Sequence, residues 1–162
     1  MAVRPAADET LEPLGPYTFI QKKAGYRVTE DSFLLAEFLP QPGEKDTVVD
    51  LGTGSGVMLL LLAWKTGVER VVGVEAEGEA AETARGNVRA NGLGSRVEIV
   101  EMDWRMAPSV YPEGSFSVVV SNPPYVKSGA GRVSPHPGRA AARTEIMGGL
   151  DELVRVSAHL AG

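Results

Sequence analysis

Thr47-Val48-Val49-Asp50-Leu51-Gly52-Thr53-Gly54-Ser55-Gly56 is the stretch from which the rest of the chain is read. Its first five residues form an apolar strand, and an apolar helix follows from about Ser55 to Thr66. Glycines at a strand–helix junction allow a tight turn and a close approach of a ligand to the backbone. The unpaired N–H groups at the helix start suit an anionic group such as a carboxylate. A dinucleotide loop follows G-x-G-x-x-G, its third glycine letting helix and strand pack closely. Counting from Gly52, Val57 occupies that third position, whereas here the glycines alternate and an acid, Asp50, precedes them.

Outward from the loop, strand and helix patterns alternate. Val71–Glu75 is a second strand, Glu77–Asn91 an alanine-rich helix ended by Asn91-Gly92, and Arg96–Glu101 and Phe116–Ser121 two further strands. Near-continuous apolar strands separated by helices predict an α/β fold with a parallel sheet covered on both faces and right-handed crossovers. Ile146, Leu150, Leu153, Val154 and Leu160 fall at helical spacing and predict a helix over residues 149–160. A doubly wound sheet is expected to continue past such a helix, but the sequence ends at Ala161-Gly162, so the C-terminal strands are expected to be missing. Upstream, residues 1–16 with Pro5, Pro13 and Pro16 read as a loose arm. Tyr17–Lys23 and Tyr26–Thr29 read as a hairpin around Ala24-Gly25, and Asp31 as the cap of a short helix reaching Leu39. The division is thus 1–45 as an N-terminal arm and extension and 46–162 as the main domain.

The bulk properties narrow the function classes. A length of 162 residues with 43% hydrophobic content suits one packed domain. The net charge of −5 argues against a dedicated nucleic-acid binder, though a local basic patch stays open. With no cysteine there is no disulfide, thiolate metal site or cysteine nucleophile, which fits a reducing cytoplasm. His136 and His159 are far apart and nothing marks them as metal ligands. The first ten residues lack the apolar core of a signal peptide, and the longest apolar run, Val57–Trp64, is too short to span a bilayer.

The D-x-G-x-G-x-G pattern of Asp50, Gly52, Gly54 and Gly56 is similar to the cofactor loop of class I methyltransferases, which bind S-adenosylmethionine. Two further acids follow in order. Glu75 ends the second strand, where a carboxylate accepts hydrogen bonds from both ribose hydroxyls or is a solvated strand-end charge. Asp103 follows the third strand, as an acceptor for an adenine amino group or a helix cap; Trp104 beside it packs on the adenine ring or in the core. The resemblance implies a Rossmann-like fold with the cofactor along the carboxyl ends of the strands.

The fourth strand runs into Asn122-Pro123-Pro124-Tyr125. Two prolines remove two donors and fix two φ angles, and Asn122 is pushed to an extended form. The result is a rigid loop suited to a planar –NH₂ group: the Asn122 oxygen and the Pro123 carbonyl each accept one N–H, and Tyr125 stacks on the base. The motif resembles that of amino-group methyltransferases acting on adenine N6, guanine N2 or glutamine N5, with these four residues as the catalytic set.

Two flanking segments, Gln21–Ala36 and Ser134–Glu145, resemble the family that methylates N6 of adenosine 37 in a valine tRNA. By that resemblance Thr29 and Asp31 line the cofactor site; a plain helix cap is the other reading. Lys127, Arg132, Arg139 and Arg143 lie in a stretch without an acid until Glu145, either a solvated loop or an RNA-phosphate contact. An anticodon-loop adenosine can be splayed out and stacked on an aromatic ring. The nearest rival is a glutamine-N5 methyltransferase acting on a release factor. Such enzymes carry a sizeable helical N-terminal domain, for which residues 1–45 are too short. A non-catalytic module of the same fold and a nicotinamide oxidoreductase are more distant readings.

Overall fold

The computed structural model describes residues 5–24, 27–123 and 149–162. At its centre is a four-stranded parallel sheet of β3 (Thr47–Leu51), β4 (Arg70–Glu75), β5 (Val97–Glu101) and β6 (Val118–Val120), in the order β5-β4-β3-β6. The order reverses between β3 and β6, so the loops leaving these two strands face each other across the switch point.

The period of two along the strands sorts the core. Val48, Val71, Val97 and Val120 face α2 (Val57–Lys65) and α3 (Gly78–Ala90), together with the hydrophobic residues of α1 (Glu30–Phe38). Val49, Leu51, Val72 and Val74 face the opposite side, where α4 (Ala107–Val110) and α5 (Leu150–Leu160) supply Ala107, Leu153, Val156 and Leu160. Leu59, Leu60 and Leu61 of α2 are all fully buried, because the helix is covered by the sheet, α1 and the hairpin together. Arg96 ties off the end of α2: its guanidinium donates to the carbonyls of Ala63, Thr66 and Val68. The expected sheet and helices are present, with β6 shorter than Phe116–Ser121. Phe116 instead forms a parallel bridge with Ala161 at the end of α5.

The N-terminal region differs from the expectation. Residues 9–14 are not a loose arm but β1 (Glu9–Leu14), paired antiparallel with β2 (Tyr17–Lys22). The turn is Gly15-Pro16, with Gly15 at φ 59°, as two-residue hairpin loops require. Ala24 lies beyond β2 and is not at a hairpin turn, and residues 27–29 are not a strand. Pro13 sits opposite Thr18, whose N–H and C=O turn outward, so the missing proline donor costs the ladder nothing. The Trp64 ring lies where a Cβ on Gly15 would be, at 2.5 Å, which seats the hairpin tip on α2.

The outer edge of β2 is covered by two side-chain amides one helical turn apart, Asn87 of α3 and Asn91 at its C-cap. Asn91 accepts from Thr18 N (2.9 Å) and donates to Thr18 O (2.8 Å). Asn87, fully buried, accepts from Ile20 N (2.7 Å) and donates to Ile20 O (2.8 Å) and to Ser55 O (2.9 Å) in the glycine loop. The helical spacing of four and the strand spacing of two bring each amide level with one outward-facing residue of β2.

Replacing Asn87 with leucine leaves Ile20 N–H and Ile20 C=O buried without their partner and the half-buried Ser55 C=O without its bond to Asn87. At about 1–3 kcal/mol per orphaned group, a loss of several kcal/mol is expected in urea unfolding. A change below about 0.5 kcal/mol, the scale of a surface substitution, would refute this account of the hairpin's attachment.

Candidate functional site

The site is assembled at the carboxyl ends of β3, β4 and β6. Gly52, Gly54 and Gly56 have φ of 78°, 57° and 85°, all in the left-handed region. A Cβ on Gly52 or Gly54 would meet nothing within 4 Å, so the loop backbone faces open space. A Cβ on Gly56 would come within 3.2 Å of the Ala84 Cβ, so this glycine serves the approach of α2 to α3. Gly52 N and Thr53 N both donate to Val74 O (2.9 and 3.0 Å), which fixes the loop to the end of β4.

Asp50 is 2% exposed and accepts from the Thr53 hydroxyl at 2.6 Å. Burial pushes its carboxyl up to about 7; the Thr53 bond opposes this and the nearby Glu75 charge adds to it. Glu75 accepts from Gly54 N (2.7 Å) with one oxygen and from Glu77 N (2.9 Å) with the other. Each carboxylate oxygen has two lone-pair sites, so both retain acceptor capacity toward a ligand diol.

Asp103 accepts from Arg105 N (3.0 Å) and pairs with the Arg105 guanidinium, whose Nε lies 3.0 Å from both oxygens. The Arg105 hydrogen bond holds the Asp103 carboxyl below the usual carboxylate range. Asp103 thus caps the short 3₁₀ turn Trp104–Met106, and half-buried Trp104 packs against the α4–α5 side of the core. An adenine amino group at Asp103 would share the carboxylate with Arg105.

Thr29 and Asp31 are exposed at the start of α1, with Thr29 Oγ1 3.3 Å from Asp31 Oδ2. Thr29, rather than Asp31, is the residue at the N-cap. Asp31 lies in the first turn beside Glu30, where negative charge opposes the positive end of the helix dipole.

Asn122 and Pro123 follow directly from β6. The Ser121 hydroxyl donates to Leu51 O at 2.7 Å, closing the end of β6 onto the end of β3. Asn122 thus follows a residue tied to Leu51, which precedes Gly52, and its Nδ2 donates to the buried Ser32 hydroxyl of α1 at 3.2 Å. Pro124, Tyr125, His136 and the basic segment 127–143 lie outside the described residues. Among the described residues no group of histidines and carboxylates could hold a metal ion, and no helix is long and apolar enough to cross a membrane.

Three participants escape the motif reading. Gly73, Ser32 and Ser121 each act under or beside the loops. Gly73 lies between Asp50 and Ile99 across the sheet. A Cβ there would be 2.6 Å from Leu59 Cδ1 and 2.9 Å from Thr53 Cγ2. Its missing side chain is the space into which Thr53 drops to reach Asp50. A lone glycine inside a strand signals such a close approach, and could have been read from the sequence.

A family model described as the methyltransferase small domain matches residues 16–135. A tRNA1(Val) (adenine(37)-N6)-methyltransferase of Aeromonas hydrophila is 35% identical over 130 residues, covering 80% of this chain and 51% of that protein. A release factor glutamine methyltransferase of Agrobacterium fabrum is 34% identical over 122 residues, 74% of this chain and 37% of that protein. The chain spans about half the length of the curated relatives it matches, 45% and 51% in two cases. Among solved structures, precorrin 8w decarboxylase from Methanobacterium thermoautotrophicum superposes with a TM-score of 0.56 at 27% identity, over 86% of this chain and 60% of that one.

The raised Asp50 carboxyl has a stability consequence. The folded chain holds this proton up to about pH 7, whereas the ordinary value is 3.8. Between these values the folded state binds more protons than the unfolded one. Raising the pH through that window therefore destabilises the fold, by about 1.4 kcal/mol per pH unit. Asp50→Asn carries no such cost. Its stability relative to the parent is expected to climb between pH 4 and pH 7 in urea titrations and then level off. A difference that stays flat with pH would rule out a buried protonated Asp50.

Proposed function

Given that the chain belongs to the methyltransferase small domain family, we propose that it is an S-adenosylmethionine-dependent N-methyltransferase acting on the N6 amino group of an adenosine in tRNA. The observation that carries the reaction class is the placement of Asn122. It follows Ser121, which is tied to Leu51 at the start of the glycine loop, and this supports reading Asn122 as the N–H acceptor next to the cofactor loop.

The residues present fit the cofactor. The backbone at Gly52 and Gly54 is open to an approaching ligand, and α2 starts just beyond, after Gly56. Glu75 keeps acceptor sites for ribose hydroxyls. Asp103 and Trp104 would flank the adenine, and Thr29 and Asp31 would close the site from α1. When bound, S-adenosylmethionine supplies a sulfonium methyl to the acceptor nitrogen.

The chain's part is orientation. Asn122 Oδ1 and the Pro123 carbonyl accept the two N–H bonds of the target amino group. This draws the nitrogen lone pair out of conjugation and aims it at the methyl. The nitrogen would take the methyl while the C–S bonding pair stays on sulfur, and one amino proton would pass to solvent. Tyr125 stacks on the base, and Lys127, Arg132, Arg139 and Arg143 would take RNA phosphates. Positioning of this kind can supply several kcal/mol of the barrier. With tRNA as substrate the protein acts in the cytoplasm.

The release factor glutamine methyltransferase among the relatives keeps a second reading alive, in which the same loop holds a side-chain amide; a guanine N2 in rRNA is a third acceptor of the same shape. Incubation of the full protein with labelled S-adenosylmethionine and unmodified tRNA, rRNA or release factor, each separately, decides among them. Label on tRNA, recovered as N6-methyladenosine by nucleoside mass spectrometry, is expected. Label on protein alone would overturn the tRNA reading. Asn122→Ala is expected to keep its affinity for S-adenosylhomocysteine in calorimetric titration. Its transfer rate should fall by roughly a hundredfold, as the loss of an acceptor worth about 1–3 kcal/mol predicts. An unchanged rate would remove Asn122 from the mechanism.

A further inference from the structure

Ser32 is a hydroxyl in a place built for an apolar side chain. It lies on the covered side of α1, 3% exposed, four residues before buried Ala36. A buried hydroxyl without a partner costs free energy that a methyl would not. Its partner comes from 90 residues away: Asn122 Nδ2, at 3.2 Å.

Pro123 restricts the backbone of Asn122 before it, but it does not set the Asn122 side chain. The last torsion of an asparagine is broad, and its two ends, oxygen and nitrogen, are nearly the same size. The bond from Nδ2 to Ser32 Oγ ties the carboxamide to α1 and so restricts its torsions.

The mount for Ser32 is itself fixed. α1 packs on α2, and the segment leading into it is held by Gln21, 2% exposed, whose Oε1 accepts from Val28 N at 3.2 Å. Gln21 neighbours Ile20, the residue held by Asn87. The hairpin and α1 therefore form a bracket that reaches from α3 to the acceptor loop.

We propose that Ser32 is a positioning residue for methyl transfer, holding the Asn122 carboxamide in one rotamer against α1. This rests on the reading of Asn122 as the acceptor of the substrate N–H. The hydrogen bond itself is open to test without substrate. In the full protein labelled with ¹⁵N-asparagine, the Asn122 side-chain amide signals are identified by their disappearance in Asn122→Ala. Ser32→Ala is expected to shift these signals and speed their exchange with solvent, leaving the Asn87 side-chain signals in place. Ser32→Cys, which keeps the size and offers only a weak acceptor, does the same should the alanine variant not fold. Ser32→Thr, which keeps the hydroxyl, restores the parent signals. Asn122 signals unmoved in both Ser32→Ala and Ser32→Cys would overturn the proposal.

With unmodified tRNA transcripts and release factor as acceptors, Ser32→Ala is expected to lower kcat about tenfold with KM changed less than about threefold, on the scale of one lost hydrogen bond. Ser32→Thr recovers the rate, affinity for S-adenosylhomocysteine is unchanged, and the Ser32→Ala, Asn122→Ala double variant is no slower than Asn122→Ala alone. A full additional loss in the double variant would show that Ser32 acts elsewhere and would overturn the proposal. Asn122→Ala with parental rate would instead overturn the functional reading of Asn122, while the amide signals would still decide the contact.

Discussion

The carboxamide of Asn87 joins three parts of the chain that no backbone ladder connects. It closes the outer edge of β2 at Ile20, belongs to α3, and reaches the glycine loop through Ser55 O. Because the group is fully buried, its hydrogen bonds are made in surroundings where the alternative is an orphaned donor or acceptor. The rest of the site inherits this constraint. The loop is held from β4 by Val74 O and from α3 by Asn87, while Gly73 leaves the space beneath it. The hairpin, so anchored, carries Gln21 and then α1 to the acceptor motif.

The parallel sheet was readable in the sequence because its signal is local and repeated. Valine-rich strands, the alternating glycines and the Asn91-Gly92 helix end each state their conformation within a few residues. The hairpin was misplaced for a physical reason. Its turn, Gly15-Pro16, sits among prolines that resemble a loop, and Pro13 is tolerated in β1 only because its partner Thr18 turns outward to α3. The outward groups of Thr18 are taken up by Asn91, some seventy residues along the chain, and no window of local sequence contains that partner. Phe116 shows the same limit. It reads as the start of a strand but pairs with Ala161, which α5 brings alongside.

For the candidate site, the residues with distinctive chemistry could be singled out in the sequence, and the side chains that hold them in place could not. Asp50, the three glycines, Glu75 and Asn122 all lie at the ends of β3, β4 and β6. Ser32 and Ser121 are ordinary serines in sequence, and only the tertiary fold gives each its partner. Asp103 was left between two roles, and the geometry gives it an occupant: Arg105, two residues on, engages both of its oxygens. Glu75 likewise acts inside the protein before any ligand arrives, since Gly54 N–H already rests on it.

The Asn87 bracket also determines how the molecule opens. In most hairpins the outward amides of an edge strand exchange their hydrogens with solvent through local fraying. Here the outward amides of Thr18 and Ile20 point into α3, so their hydrogens can leave only when that helix separates from the strand. The hairpin, α3 and the Ser55 turn therefore belong to one cooperative opening unit. A cofactor that tightens the glycine loop would slow hydrogen exchange at Ile20, in a strand it does not touch.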